Sequence, residues 1–298
     1  MLFGIMRKSA ILFISLIIFM VNCREKKMEP PKPKYVDCNT LKPVSGMKCI
    51  PGGFFIRGSE LTVTKLDTFK KIKDESPQSK IELSTFLIDT YEVTYGEYVE
   101  CMNSGGCSKS TPHYNWVKRH PTYPMLGQTW FQAREFCRWK GKRLPTESEW
   151  EKAARGEKGD KYPWGNTEPT CKEAIVNYKG KKGCGTGITH QVGSRPAYRY
   201  GLYDMAGNAH EWVNDWYSES YTRCGEACFG KDPKGPCDGA DNCPGYKERV
   251  VKGGSWYWPP DKARSSWRRP HDPHQKTRYH HFGFRCARDI QNTDYIKQ

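Results

Sequence analysis

Four of the chain's eight histidines, His271, His274, His280 and His281, fall within eleven residues. Imidazoles at that density could ligate zinc, copper(II) or iron. The surrounding run, Arg268 to Lys276, also reads as an exposed polar loop of compositional origin, and that reading is favoured. Cys224, Cys228, Cys237 and Cys243 form a second cluster. Four thiolates could hold zinc, but the tight Cys-x-x-Cys knuckles of common zinc sites are missing, so two disulfides are favoured. Trp212, Trp216, Trp256, Tyr257, Trp258 and Trp267 supply aromatic faces that could stack on sugars or grip peptides. Core packing is the better expectation for Trp212 and Trp256.

The remaining cysteines bear on the compartment. Apart from Cys23 there are twelve, an even number that suits disulfides in an exported chain. Cys101 with Cys107, and Cys171 with Cys184, bracket glycine-containing loops. Cys38 with Cys49 would pin the entry to the folded part. The N-terminus fits export: Arg7 and Lys8 precede a thirteen-residue apolar run from Ser9 to Val21. That run is short for a membrane-spanning helix and suits a signal-peptide core. Cys23 at its end is the expected lipidation site of a bacterial lipoprotein, although Asn22 stands where a small residue is usual. An uncleaved anchor would tether the domain in the same compartment. The expected organisation is a signal peptide over 1–22, a lipidated tether over 23–36, a domain over 37–290 and a C-terminal tail over 291–298.

These residues need elements to hold them. Lys80 to Asp89 alternates and predicts a strand. Tyr95 to Met102 predicts a helix. Thr129 opens another, with Trp130, Ala133, Phe136 and Cys137 on one face and a stop at Lys140-Gly141. Thr146 and Glu149 form a capping box for a third, closed by Gly156. Beyond that lie short strands and long loops, rich in the chain's 28 Gly and 20 Pro. From composition alone the class is α+β and irregular. With 37% hydrophobic and 13% aromatic residues the chain can build a core. The net charge of +15 is scattered, and no nucleic-acid-binding motif accompanies it, so nucleic acid is not an expected partner. A solvated basic surface is the favoured reading, with an anionic glycan or lipid as the alternative partner.

An ordered series of phrases adds more. Ile50-Pro-Gly-Gly-Phe-Phe-Ile-Arg-Gly-Ser59, Gly141-Lys-Arg-Leu-Pro-Thr-Glu-Ser-Glu-Trp150 and Gly201-Leu-Tyr-Asp-Met-Ala-Gly-Asn-Ala-His-Glu-Trp212 come first. Arg249-Val-Val-Lys-Gly-Gly-Ser-Trp256 and Gly283-Phe-Arg-Cys-Ala-Arg288 follow. Together they resemble the formylglycine-generating enzymes, or sulfatase-modifying factors, over about Cys49 to Asp289. The resemblance implies a C-type-lectin-like fold with little regular secondary structure and a disulfide between Cys137 and Cys286. It implies calcium held by Asp204, the carbonyls of Gly207 and Ala209, and Glu211, which is sound oxygen chemistry for a hard cation. The family's second calcium site would begin at Asn177 and Tyr178. In these enzymes two cysteine thiolates after the Gly-Gly-Ser hold copper(I), a soft ion. Here Trp258 and Ala263 stand at those positions, so loss of the copper oxidase reaction is expected. The expected behaviour is that of a non-catalytic envelope lipoprotein, membrane-attached through its lipid and binding a protein, peptide or glycan. The alternatives are a metal-dependent oxidoreductase or protein-modifying enzyme, and a structural part of an envelope complex.

Overall fold

In the computed structural model the described residues are 35–64, 71–110, 112, 114–274 and 281–296. By contacts the chain divides into Met1–Pro31 and Lys32–Gln298. The expected signal peptide, Cys23 and most of the tether lie outside the described residues, as does His280.

The regular elements are short. They are β1 (Met47–Ile50), β2 (Gly53–Arg57), β3 (Val63–Thr64), β4 (Lys71–Ile72), β5 (Ser79–Leu83), β6 (Phe86–Asp89), α1 (Tyr95–Asn103), α2 (Trp130–Trp139) and α3 (Glu147–Arg155). Then come β7 (His210–Trp216), α4 (Tyr221–Cys224), β8 (Arg249–Lys252), β9 (Arg269–His271), β10 (Phe282–Gly283) and β11 (Ala287–Asp289). β6 pairs antiparallel with both β1 and β11, so the start and end of the domain share one sheet. A second sheet has the order β10-β7-β8-β9, with β10 parallel to β7 and the rest antiparallel. β2 with β5, and β3 with β4, form two-stranded ribbons. This is the irregular α+β, disulfide-rich architecture that the sequence led us to expect.

Each of the three longer helices opens on a threonine capping box: Thr94 with Glu97, Thr129 with Gln132, and Thr146 with Glu149. Each box satisfies two backbone amides that a helix start would otherwise leave unpaired. α2 buries Trp130, Ala133, Phe136 and Cys137, the face read from the sequence. One correction concerns Lys80 to Asp89, expected as a single strand. It is broken at Ser84 and Thr85 because their groups turn to other segments. The Ser84 amide and hydroxyl donate to Asp232, and the Thr85 hydroxyl accepts from the Val36 and Gly52 amides. The residues expected as a tail turn back onto the body. Tyr295 bridges Leu41, and both guanidinium nitrogens of Arg288 reach the Asp294 carboxylate.

Six disulfides staple the domain: Cys38–Cys49, Cys101–Cys107, Cys137–Cys286, Cys171–Cys184, Cys224–Cys228 and Cys237–Cys243. Five close short loops. Cys137–Cys286 spans 149 residues and ties α2 to the segment entering β11. Closing a loop of that length removes chain entropy worth on the order of 5 kcal/mol.

Two apolar clusters flank the second sheet. Ile50, Phe55, Phe86, Trp150, Val213 and Val250 belong to one, and Tyr98, Trp130, Phe136, Trp212, Val251 and Phe284 to the other. A buried ionic network joins α3 to β8 and to the segment just before β9. Arg268 forks onto Glu147, with Nε to Oε1 at 2.6 Å and Nη2 to Oε2 at 2.9 Å. Lys252 reaches Glu147 at 3.4 Å and Glu151 at 3.0 Å, and Glu151 also accepts from Arg155 and the Gly58 amide. Burial would raise the Glu147 carboxyl, but Arg268 and Lys252 outweigh it and hold the group at about 2. Asp215, which accepts the Glu147 amide at 2.7 Å, is instead pushed up to about 7 by burial and by the Glu147 charge.

Removing one member of this network strands a charge in the interior. Arg268→Met is expected to lower unfolding stability by about 3–5 kcal/mol in urea titration, since Glu147 keeps its burial and loses its fork. Asp215 gives a pH signature of the opposite kind to a salt-bridged acid. Its folded value of about 7 lies above its ordinary 3.8. Its stabilising contribution is therefore full below that ordinary value and lost as pH rises through about 7. Asp215→Asn keeps an acceptor for the Glu147 amide and is expected to flatten the fall in stability across this window. Parallel pH–stability curves for the two proteins would refute the assignment.

Candidate functional site

The turn before β7 has two unusual backbones. Asp204 and Asn208 both adopt positive φ, a conformation in which Asp and Asn are over-represented. Gly207 between them also has positive φ, and a Cβ there would sit 2.5 Å from the Ile175 carbonyl oxygen. Glycine is thus required on both counts. The turn gathers acidic groups. Asp204 accepts the Gly193 amide at 2.6 Å. Glu92 accepts the Ala209 amide at 2.9 Å and the Asn208 side chain at 2.7 Å. Glu211 takes both prongs of Arg285 at 2.7 Å and the Trp150 indole N–H at 2.7 Å.

Glu92, Asp204 and Glu211 are buried and feel one another's charge. Burial, reinforced by those neighbours, raises Glu92 well above the carboxylate range and Asp204 to about 6. Arg285 offsets part of this negative charge from inside, and a divalent cation would offset the rest. The turn carries oxygen ligands of the hard kind on its Asp204 side, while both oxygens of Glu211 are engaged by Arg285. No three His, Cys, Asp or Glu side chains converge on one ion position among the described residues. The sequence reading missed Glu92, which lies over a hundred residues upstream. Where the resemblance would begin a second calcium site, the Asn177 side-chain oxygen is buried with no hydrogen-bond partner among the described residues, and 183–187 supplies no acidic side chain.

The Gly-Gly-Ser phrase leaves β8 through two positive-φ glycines. A Cβ on Gly254 would lie 2.7 Å from the Lys262 carbonyl oxygen and 2.8 Å from the Ala263 Cα. The glycine lets the 260–263 turn fold back over the strand exit. Ala263 is fully buried with Ala174, Val176 and Ala206. Trp258 is half-buried, its carbonyl accepts the Asn177 amide at 2.9 Å, and Arg269 lies 5.4 Å from its ring. Neither position offers sulfur, and all twelve cysteines of the described residues are in disulfides.

The histidines are placed as aromatic rings. His271 stacks on Trp212 at 5.6 Å and packs on Phe282 at 4.3 Å. His281 lies 5.1 Å from Trp256 and 4.5 Å from Tyr257. His274 packs on Phe131, away from both. His210, which the sequence reading did not single out, is buried on Phe282 at 5.5 Å. Burial, with the Arg269 charge, lowers His271 to about 3, and the same causes lower His210 well below the usual imidazole range. Neutral imidazoles pack as apolar rings at little desolvation cost.

Beside them runs a band of aromatic side chains. Tyr114 stacks on Trp116 at 5.4 Å and meets Trp256 edge-on at 6.1 Å. Trp256 continues to Tyr257, and Tyr257 to Trp258, at 5.5 and 5.2 Å. The Lys182 ammonium sits 3.6 Å over the Tyr257 ring. Tyr114, Trp116, Tyr257 and Trp258 are half-buried and present ring surface, whereas Trp212, Trp216, Trp256 and Trp267 are buried. The core expectation for Trp212 and Trp256 thus agrees with the structure. Tyr114 and Trp116 were missed, although two large aromatics on a polar loop are a usable signal.

Residues 33–290 match the family model described as the sulfatase-modifying factor enzyme 1-like domain. The chain is 32% identical over 285 residues to the serine/threonine-protein kinase pkn1 of Chlamydia pneumoniae, a match covering 89% of this chain and 40% of that protein. It is 28% identical to the formylglycine-generating enzyme of Thermomonospora curvata, covering 82% of this chain and 93% of that one. Among solved structures, PvdO from Pseudomonas aeruginosa superposes with a TM-score of 0.61 at 26% identity, over 82% of this chain and 94% of that one. The extent of the family match and the shared fold lead to one conclusion: the chain belongs to the sulfatase-modifying factor enzyme 1-like domain family.

Proposed function

We propose that this protein is an envelope lipoprotein, anchored through Cys23, whose domain binds a protein, peptide or glycan without copper oxidase chemistry. One observation carries the reading: the two positions for copper thiolates are Trp258 and Ala263, and the other cysteines are consumed in disulfides. Copper(I) needs soft ligands, and an indole and a methyl group supply none. The half-buried Trp258 and Tyr257 extend the aromatic band instead, with Lys182 and Arg269 as cationic neighbours. Rigid aromatic faces offer contact area at low conformational cost. Calcium, held by Asp204, the Gly207 and Ala209 carbonyls and Glu211, would brace the turn beneath this band.

Copper(I) titration of the full chain in detergent, against a chromogenic competitor, tests the central point. The expected result is no stoichiometric binding under non-reducing conditions; one tightly bound copper per chain would return the oxidase reading. Calcium is tested separately by metal analysis after purification in calcium-containing buffer. About one calcium per chain is expected for the natural protein, and less for Asp204→Asn with a lower thermal midpoint. Calcium-free protein at full stability would remove the cation from the site.

A further inference from the structure

Away from the aromatic band, the exposed side of α2 borders an open depression of about 640 Å³. Its lining includes Ser108, Phe131, Arg134, Glu135, Arg138 and Trp139. The geometry points to a binding site for an acidic sugar: one pyranose ring bearing a single carboxylate, of the uronic or sialic type.

The depression is a built surface. Trp139 lies against the turn at Gly106, where a Cβ would come within 2.2 Å of its ring. The Cys101–Cys107 disulfide pins that turn. Glu135 is fixed from the other side, since one of its oxygens accepts both the Ser108 amide at 2.8 Å and the Ser108 hydroxyl at 2.6 Å. The second oxygen of Glu135 remains to accept from a ligand hydroxyl. Phe131 and Trp139 are half-buried, with His274 packed on the first and Lys140 over the second, and the ring area they leave in the lining is apolar surface of the kind on which the C–H face of a sugar packs.

The charges select the ligand. Arg134 and Arg138, one helical turn apart, are close enough that the Arg138 charge depresses Arg134, after burial the second cause of its lowered value. Arg134 is held in place over the rings of Trp130 and Phe131, at 4.8 and 5.5 Å. Its ion-pair partner is Asp241, from a loop 107 residues away, whose side chain is 60% exposed. Arg134 itself is only 16% exposed, so the exposed end of the pair is the Asp241 carboxylate, and an incoming carboxylate can take its place on Arg134. Arg138 is exposed and has no ion pair among the described residues. With Asp241 displaced, Arg134 and Arg138 set against Glu135 leave the empty depression with a net charge of about +1, which one ligand carboxylate neutralises. That balance suits a monoanion. A guanidinium fork matches a carboxylate in plane, and Glu135 would repel a phosphate dianion.

The test uses the full chain in detergent with glucuronate as probe, and glucose, acetate and a triglutamate peptide as comparisons, read by titration calorimetry and ligand-observed NMR. Glucuronate is expected to bind with millimolar affinity, more tightly than glucose or acetate, and less tightly as salt rises. Arg138→Gln, at an exposed position, is expected to weaken it about tenfold. Asp241→Asn removes the competing carboxylate and should tighten binding, a gain that misfolding cannot produce. Lys42→Gln, which removes an exposed positive charge that does not line the depression, should leave it unchanged. No glucuronate binding, equal binding of acetate, or indifference to Arg138→Gln would overturn the proposal. Tighter binding of triglutamate would overturn the sugar assignment in favour of an acidic peptide.

Discussion

The fold depends on buried arginines satisfying a backbone that has little regular structure to satisfy it. Long loops leave carbonyls without ladder partners, and buried carbonyls must be bonded. Arg268 donates to the carbonyls of Asp74 and Ser218 while it forks onto Glu147. Arg285 donates to Asp89, Thr90 and Tyr203 while it forks onto Glu211. Arg249 bonds the carbonyls of Asn214, Gly239 and Ala240, and lies between the rings of Trp130 and Trp216 at 3.8 and 3.7 Å. Each guanidinium stitches together segments far apart in sequence. Lysine could not replace them, because one ammonium lacks the planar set of five donors.

The frame is held by contacts that do not depend on the side-chain chemistry at 258 and 263. The Gly-Gly-Ser turn is dictated by close backbone approach at Gly254, and the Glu211–Arg285 fork by burial. The fork involves neither residue 258 nor 263, and the turn meets residue 263 only at its Cα and Cβ, atoms that any non-glycine residue has. Ala263 is a small apolar group in a small apolar cluster, and Trp258 is a large ring at the end of an aromatic row. The chemistry is thus separable from the scaffold, and fold membership alone does not settle activity.

Much of the scaffold was legible in the sequence, because its signals are local. Thr146 with Glu149 announces a helix start, and Trp130, Ala133, Phe136 and Cys137 recur at helical spacing. The Gly201–Trp212 phrase marks the acidic turn. What stayed hidden is long-range. Glu92 reaches Asn208 and Ala209 across more than a hundred residues, and nothing near Glu92 in sequence points to them. His210 reads as one polar residue in a strand, yet it is fully buried and packs on Phe282, more than seventy residues away. Cysteine pairing within 224–243 was open because sequence spacing does not fix where backbones meet. The break at Ser84 depends on Asp232, on the far side of the chain.

The histidine-rich segment shows how burial decides between chemistries that composition leaves open. A metal site needs imidazole nitrogens turned toward a common point. Here the rings of His271 and His281 turn their faces to Trp212, Tyr257 and Phe282. Burial and the nearby Arg269 keep His271 neutral, and a neutral imidazole beside indoles behaves as a small aromatic ring. The same arginine lies near Trp258 and Phe282, so one cation disfavours protonation of the histidine while stacking on its neighbours. His271 and His281 thus pack as rings of an aromatic wall that includes Trp212, Trp256 and Tyr257.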